Sequence, residues 1–404
     1  MINVAVLGYG TVGSGVVEVL EENNAQVSSR AGERICVKYI LDLRDFPGDP
    51  YEAKIVHDFN VILQDEEIDI ICEVMGGTGA AYQFTKQSLE SGRSVCTSNK
   101  ELVAKHGAEL LEIAEKHSCN YMFEASVGGG IPVIRPMNNA LTGEKILAVT
   151  GILNGTTNYI LTKMDREGAE YDDALKHAQE LGYAERNPEA DVEGYDACRK
   201  LAILSSLMTG KNVDSEKIYT EGISGITSAD FSFARAVGMS IKLLALGQSR
   251  EDGSVTAIVA PFLVPEEHPL AMVKDVFNGI LITGNMLGDA MFYGRGAGKL
   301  PTASAVAADV VDCARHKGKT VPCVWSREEA GLADISETER AFFVRVKECA
   351  RREAEAVFQG GRSFSAAGCG SEFGILTPVM KESQFREKYD FLGDSVLGRI
   401  RLLG

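Results

Sequence analysis

Between Ala178 and Lys200 the chain reads AQELGYAERNPEADVEGYDACRK, a stretch holding six carboxylates (Glu180, Glu185, Glu189, Asp191, Glu193 and Asp196) before it closes on Arg199 and Lys200. Acid-rich segments with Pro and Gly are commonly solvated loops. The spacing argues for more. Ala197, Leu201, Leu204 and Met208 recur at intervals of four, three and four, the stripe of an amphipathic helix. Asp196 and Lys200 therefore share one helical face, where a carboxylate can orient an ammonium. The other acids precede the helix, where its dipole favours negative charge. A lysine held by an aspartate, with Glu185 on the approaching loop, has the parts to bind an amino acid and protonate its carbonyl. Glu185 would take the substrate ammonium, and Lys200 would give a proton to an oxygen as hydride arrives. The plainer alternative is a surface ion pair worth about 0.2–0.5 kcal/mol.

A hydride donor needs a unit to hold it, and the first residues, MINVAVLGYGTVGSGVVEVLEE, have that form. An apolar run from Ile2 to Leu7 reads as a strand. Glycines follow at 8, 10 and 13, then Val12, Val16, Val17 and Leu20 at helical spacing. Gly8 allows the turn, Gly10 lets the backbone approach a pyrophosphate, and Gly13 lets helix and strand pack closely, with Thr11 and Val12 opening the helix toward the phosphates. A merely tight strand-to-helix turn is the alternative. A second strand, Ile35 to Leu41, ends at Asp42-Leu43-Arg44. Asp42 suits the ribose hydroxyl of NAD and Arg44 the 2′-phosphate of NADP, so both cofactors stay open. Further strand-like runs at Ile68–Val74, Ser94–Thr97 and Asn120–Phe123 alternate with helical stretches, the pattern of a doubly wound parallel sheet. Their tips, Gly76-Gly77-Thr78, Ser98-Asn99-Lys100 and Glu124-Ala125-Ser126, should line the ligand crevice. Lys100 is either solvated there or aimed into it. The run from Glu124 to Ile131 pairs one carboxylate with flexible backbone carbonyls, which suits a hard cation, or forms a plain hinge.

The whole chain limits the classes of function. At 404 residues it has room for two or three domains, with 45% hydrophobic and 24% charged residues. The balance of 41 Lys plus Arg against 57 Asp plus Glu, −16 in all, repels nucleic acid and anionic membranes, and neither is expected as a partner. Nine cysteines are scattered singly, without a Cys-x-x-Cys pair, which favours neither disulfides nor zinc and fits a reducing cytoplasm. The first residues carry no basic leader, and no run of about 18 apolar residues occurs, so neither export nor a membrane span is expected.

These residues also carry a family pattern. Ala178, Gly182, Ala184, Asn187-Pro188, Asp191, Gly194, Asp196 and Lys200 meet every position of the signature of homoserine dehydrogenase, which the chain resembles over about residues 1–320. GYGTVG, TSNKELVA, EASVGGGIP, GILNGTTNYIL and YGRGAGKLPTASAVAAD look like family segments in the family's order. The resemblance implies NAD- or NADP-dependent interconversion of L-aspartate 4-semialdehyde and L-homoserine on the way to threonine and methionine. It implies Lys200 as proton donor and Lys100 as a second lysine at the reacting oxygen. Glu185, Asp191, Asp196, Tyr183, Gly155 and Thr156 would bind substrate. Gly182 and Gly296, together with Gly77, Thr78, Ser98 and Lys100, would touch the cofactor. Glu124 with the carbonyls of Val127, Gly129 and Ile131 would match the family's sodium site, and a homodimer or homotetramer is implied. Leu41-Asp42 stands where many relatives carry a basic residue, a departure that bears on NADP use.

Three domains are expected: a Rossmann-type unit of residues 1–135 plus 301–320, an α+β substrate and dimerisation unit of 136–300, and a ferredoxin-like unit of 336–404. The helical Pro301–His316 segment returns to the first. The tail has the order βαββαβ and resembles the ACT domain, which senses threonine in some relatives. Here Lys347-Glu348-Cys349-Ala350-Arg351 replaces the usual glycine turn, which argues against effector binding, and a chain ending near Glu337 is expected to stay active. Two other readings compete. An aldehyde dehydrogenase acting on the same semialdehyde needs a nucleophilic cysteine with a histidine base, and no cysteine stands at a strand tip beside a histidine. A cofactor-sensing module without catalysis sits badly with intact Lys100, Asp196 and Lys200.

Overall fold

The structure is a computed structural model and describes residues 1–404. The chain divides into two compact units: residues 1–145, 202–215 and 294–330 form the first, and residues 146–201, 216–293 and 331–404 form the second.

The first unit is built on strands β1 (Ile2–Leu7), β2 (Ile35–Leu41), β3 (Ile55–Val56), β4 (Ile68–Glu73), β5 (Ser94–Thr97) and β6 (Tyr121–Met122). All pair in parallel, in the order β3-β2-β1-β4-β5-β6. That is the doubly wound order, and it reverses between β1 and β4, where ligands bind beyond the strand carboxyl ends. INVAVL is buried at every position. Helices cover both faces of such a sheet, which explains a continuous apolar run instead of an alternating one. The helices are α1 (Thr11–Glu22), α2 (Asn24–Ala31), α3 (Phe59–Leu63), α4 (Ala80–Glu90) and α5 (Lys100–Lys116).

The second unit carries β7 (Ile146–Ile152), α6 (Gly155–Glu167), α7 (Tyr171–Glu180), α8 (Glu189–Val192), α9 (Tyr195–Thr209), β8 (Tyr219–Thr220), α10 (Ser228–Ala236), β9 (Met239–Ser249), β10 (Val255–Pro265), β11 (Phe277–Gly284) and β12 (Gly288–Arg295). The boundary between units falls inside α9, after Leu201. Helix α11 (Lys299–Arg315) belongs to the first unit, where Ala303, Val306 and Val310 join the core of the parallel sheet.

The tail supplies β13 (Glu339–Arg340), β14 (Phe342–Lys347), α12 (Arg351–Val357), β15 (Arg362–Phe364), β16 (Glu372–Leu376), β17 (Met380–Lys381), α13 (Glu382–Phe391) and β18 (Val396–Leu402). Its main strands lie in the order β18-β14-β16-β15, the arrangement of a ferredoxin-like βαββαβ unit. The tail does not stand apart, however. Strand β18 pairs in parallel with β10, so one mixed sheet runs β12-β11-β7-β9-β10-β18-β14-β16-β15. The sequence pattern concealed this because the joint is made by backbone groups and by charges. Arg401, 2% exposed, donates from Nε and Nη2 to Glu382 at 2.7 and 2.9 Å and from Nη1 to Glu221 at 2.7 Å. Arg345 pairs with Asp230 at 2.9 Å. No helix is long and apolar enough to cross a membrane.

Candidate active site

At the tip of β1, Gly8 has φ +95°, and a Cβ on Gly13 would stand 1.8 Å from the Gly8 carbonyl oxygen. Only glycine fits at 13, so strand and helix close tightly. Gly10 caps α1 without a side chain, which leaves the amides of Thr11, Val12 and the first turn untaken by any cap, and a Cβ at 10 would meet nothing within 4 Å. That open, amide-lined turn fits a pyrophosphate. Asp42 accepts the Tyr9 N–H at 2.8 Å, which brings the tip of β2 to the same turn. It also takes Arg44 Nε and Nη2, both at 3.0 Å. The Arg44 guanidinium holds the Asp42 carboxyl well below the usual carboxylate range. The acid and the arginine, which separately suggest NAD and NADP, are thus one ion pair.

Glu73 ends β4, fully buried, with its pKa raised by burial. It accepts the Thr97 hydroxyl at 2.7 Å and the Met75 amide at 2.8 Å. Thr97 Oγ1 in turn accepts the Asn99 amide, and Asn99 caps α5 while donating to the Gly77 carbonyl at 2.7 Å. The tips of β4 and β5, with Gly77, Thr78, Ser98 and Lys100, are tied together in this way. Lys100 is the first residue of α5 and half-buried.

At Glu124 the structure departs from the sequence expectation. Its carboxylate is not turned outward as a cation ligand. Oε1 accepts the amides of Val133 and Ile134 at 2.6 and 2.9 Å, and Oε2 accepts that of Arg135 at 2.7 Å. Three backbone donors leave this side chain a poor metal ligand, and no cluster of His, Cys, Asp or Glu side chains is arranged to hold a metal. What remains of the expected set is backbone: the carbonyls of Val127, Gly129 and Ile131, beside Gly128 and Gly129 at φ +73° and +55°. A Cβ on Gly129 would meet the Gly296 carbonyl oxygen at 2.5 Å, so those two segments touch through backbone.

In the second unit, α9 sets Asp196 and Lys200 one turn apart. They form no surface pair: the Lys200 ammonium donates to Asp196 Oδ2 at 2.6 Å and to the Leu153 carbonyl at 2.8 Å, and both side chains are buried. Asn154, beside Leu153, donates to Asp191 Oδ1 at 2.7 Å and to Asp196 Oδ2 at 2.9 Å. Thr156 donates to the Tyr183 carbonyl at 2.6 Å. Gly155 packs against the Val276 carbonyl, 2.7 Å from where a Cβ would stand. Asp191, Asp196, Lys200, Gly155, Thr156 and Tyr183 are therefore one neighbourhood. Glu185 and Gly182 lie exposed on the loop between α7 and α8, Gly182 at φ +74°. Such a site can hold an ammonium by carboxylates while one lysine N–H, its other two engaged, faces an oxygen.

Sequence reasoning missed Glu73 and Asn154, and it placed Asn99 at the crevice without seeing its role as a cap. Glu73 sits in an apolar run that reads as plain strand. Asn99 and Asn154 each precede a helix, and a search for N-caps would have found them.

Comparison with known proteins gives one family. The NAD-binding domain of homoserine dehydrogenase matches residues 8–124, and the homoserine dehydrogenase family matches residues 132–311. The homoserine dehydrogenase of Bacillus subtilis (strain 168) is 41% identical over 317 residues, covering 77% of this chain and 72% of that protein. That of Mycobacterium tuberculosis (strain ATCC 25618 / H37Rv) is 39% identical over 417 residues, covering 97% and 94%. Among solved structures, a homoserine dehydrogenase from Thiobacillus denitrificans superposes with a TM-score of 0.91 at 34% identity, over 100% of this chain and 98% of the other. A hyperthermophilic archaeal homoserine dehydrogenase in complex with NADPH gives 0.66 at 27% identity, over 77% and 97%.

Proposed function

We propose, from the premise that this chain belongs to the homoserine dehydrogenase family, how its residues divide the work of that enzyme. The reaction is the reversible, nicotinamide-dependent reduction of L-aspartate 4-semialdehyde to L-homoserine. When bound, the nicotinamide supplies or accepts the hydride. Gly8, Gly10, Gly13 and the first turn of α1 hold its pyrophosphate, and Asp42 with Arg44 meets the adenosine ribose. The acid–arginine pair supports use of either NAD or NADP: Asp42 receives ribose hydroxyls, and Arg44, its side chain 63% exposed, is free to turn to a 2′-phosphate.

Lys200 is the proton donor in reduction and the acceptor in oxidation. The observation that carries this reading is its buried ammonium, held by Asp196 and the Leu153 carbonyl with one N–H left for the substrate oxygen. Glu185 and Asp191 take the substrate ammonium, Gly155, Thr156 and Tyr183 line its backbone end, and Lys100 is assigned as a second ammonium for the reacting oxygen. Gly182 and Gly296 are assigned to the nicotinamide end of the cofactor. A sodium ion would rest on backbone carbonyls such as those of Val127, Gly129 and Ile131, and we give it no step. The ferredoxin-like arrangement supports an ACT-like origin for the tail, without an assigned effector. Edge strand β12, with Met291 and Tyr293 exposed, supports association with a second copy, as dimer or tetramer. Nine free cysteines support a cytoplasmic setting.

The test is Lys200→Ala. Turnover with L-homoserine should fall at least ~100-fold while NADPH binds as before, the range for losing an acid–base group. Turnover close to that of the unaltered chain would remove Lys200 from the chemistry.

A further inference from the structure

Asn154 stands at the N-cap of α6, 6% exposed, with its Oδ1 accepting the Thr157 amide at 2.9 Å. That bond settles which way the side-chain amide faces, because only an oxygen can meet a backbone N–H. The NH2 group is then turned to Asp191 on α8 and Asp196 on α9, and each of its two N–H bonds meets one carboxylate. Asp196 Oδ2 is shared: it accepts from Asn154 at 2.9 Å and from Lys200 at 2.6 Å. The preceding residue, Leu153, supplies the carbonyl that receives a second Lys200 proton. Two adjacent residues thus hold both aspartates and the lysine.

Capping needs only the oxygen. Asp and Ser cap a helix about as well as Asn, but neither carries two donors beside that acceptor. The donors matter because two carboxylates within reach of one nitrogen repel each other unless hydrogen is placed between them. We infer that Asn154 is a positioning residue for the dehydrogenase reaction: its NH2 holds Asp196 in line with Lys200 and Asp191 beside it, so that the ammonium and the substrate-binding carboxylates keep one geometry. This rests on the roles given above to Lys200 and Asp191.

The experiment compares Asn154→Ser and Asn154→Asp with Lys200→Ala. Both substitutions at 154 keep a capping oxygen and lose the two-donor NH2 group; Ser keeps a single hydroxyl donor, which cannot serve both aspartates, and Asp adds a third carboxylate. The NADPH dissociation constant should stay unchanged within error, while the melting temperature should fall in both variants and further in Asn154→Asp, because buried carboxylates lose their donors and Asp adds a third charge. The kcat for homoserine oxidation should fall roughly 10- to 100-fold in Asn154→Ser, the scale of a misplaced catalytic group. Asn154→Asp should fall further, although it is the closer match in shape, and in both variants kcat should change more than KM. Asn154→Asp with unaltered kcat overturns the inference. So does a kcat per NADPH-binding site that matches the unaltered chain in both variants whatever their melting temperatures, which would mark Asn154 as a stabilising cap and nothing else. Inactive Lys200→Ala beside an active Asn154→Asp sinks the inference alone, whereas an active Lys200→Ala sinks the assignment on which it rests.

Discussion

Replacing Arg401 by Met should cost this protein about 3–5 kcal/mol, the range for removing one partner of a buried ion pair. The figure follows from what is left behind. Arg401 is 2% exposed and Glu382 7%, and two hydrogen bonds of 2.7 and 2.9 Å join them, so removing the guanidinium leaves a carboxylate that water cannot reach with only Arg340, its Nε 3.8 Å away, as a partner. Glu221, 28% exposed in its side chain, adds less, because solvent and Arg399 at 3.3 Å relieve it. Burial by itself would raise the Glu221 pKa, but the two arginines outweigh it and hold the group below its ordinary value. Were the pair a surface one, the loss would be about 0–1 kcal/mol. Urea unfolding followed by circular dichroism measures the difference. Hydrogen exchange of peptides spanning residues 219–223 and 255–265 should rise in the variant, since β18 pairs with β10 and the Glu221 amide donates to the Val259 carbonyl. Arg401→Met with Glu382→Gln should recover part of the loss, because the buried carboxylate is then gone although Arg340 gives up its partner at 3.8 Å. A loss below about 1 kcal/mol, or a double variant no more stable than the single, would refute the reasoning. The same residues reach the substrate site: a Cβ on Gly222 would stand 2.4 Å from the Val192 carbonyl, and the Ile223 amide donates to that carbonyl at 2.8 Å. KM for homoserine should therefore rise in Arg401→Met.

Glu185→Gln should raise KM for homoserine and leave the KM of an analogue without the amino group unchanged; equal losses with both would mean that the carboxylate does not read the ammonium. Asp42→Ala removes the acid that repels a 2′-phosphate and frees Arg44, so the ratio of kcat/KM for NADP over NAD should increase, and an unaltered ratio would put Asp42 away from the ribose.

What could be read from the sequence was whatever periodicity and short spacing write down. The first two strands appear with the bounds expected of them, 2–7 and 35–41, because each is a largely apolar run that ends at turn-forming residues, Gly8 after the first and Asp42 after the second. Asp196 and Lys200 face each other because one helix carries both. Interactions between elements distant in the chain were hidden. The two-residue strand β3 has no periodicity to detect. Glu124 read as a metal ligand because a carboxylate before glycines looks available, and nothing in the sequence says that the amides of residues 133–135 turn toward it. The tail looked separable because its own helices and strands are complete. The residue that ties it down, Arg401, reads as the solvent face of an edge strand.

The placement of that arginine has a reason beyond stability. Strand β18 meets β10 through two residue pairs, Phe262 with Arg401 and Leu263 with Leu402. So short a ladder does little to choose its own register, and apolar side chains on β18 would pack almost as well one residue along. A slip of one residue turns every side chain of a strand to the opposite face. Because β14 and β18 are joined by five residue pairs, the tail would shift as one piece, carrying Arg401 away from Glu221 and Arg345 away from Asp230, a carboxylate 2% exposed. Hydrophobic residues at these positions could match or exceed the ion pair in stability, but they would not penalise the slip. Truncation near Glu337 removes the whole arrangement, exposing the β10 edge and stranding Glu221, and the shortened chain should lose solubility along with activity.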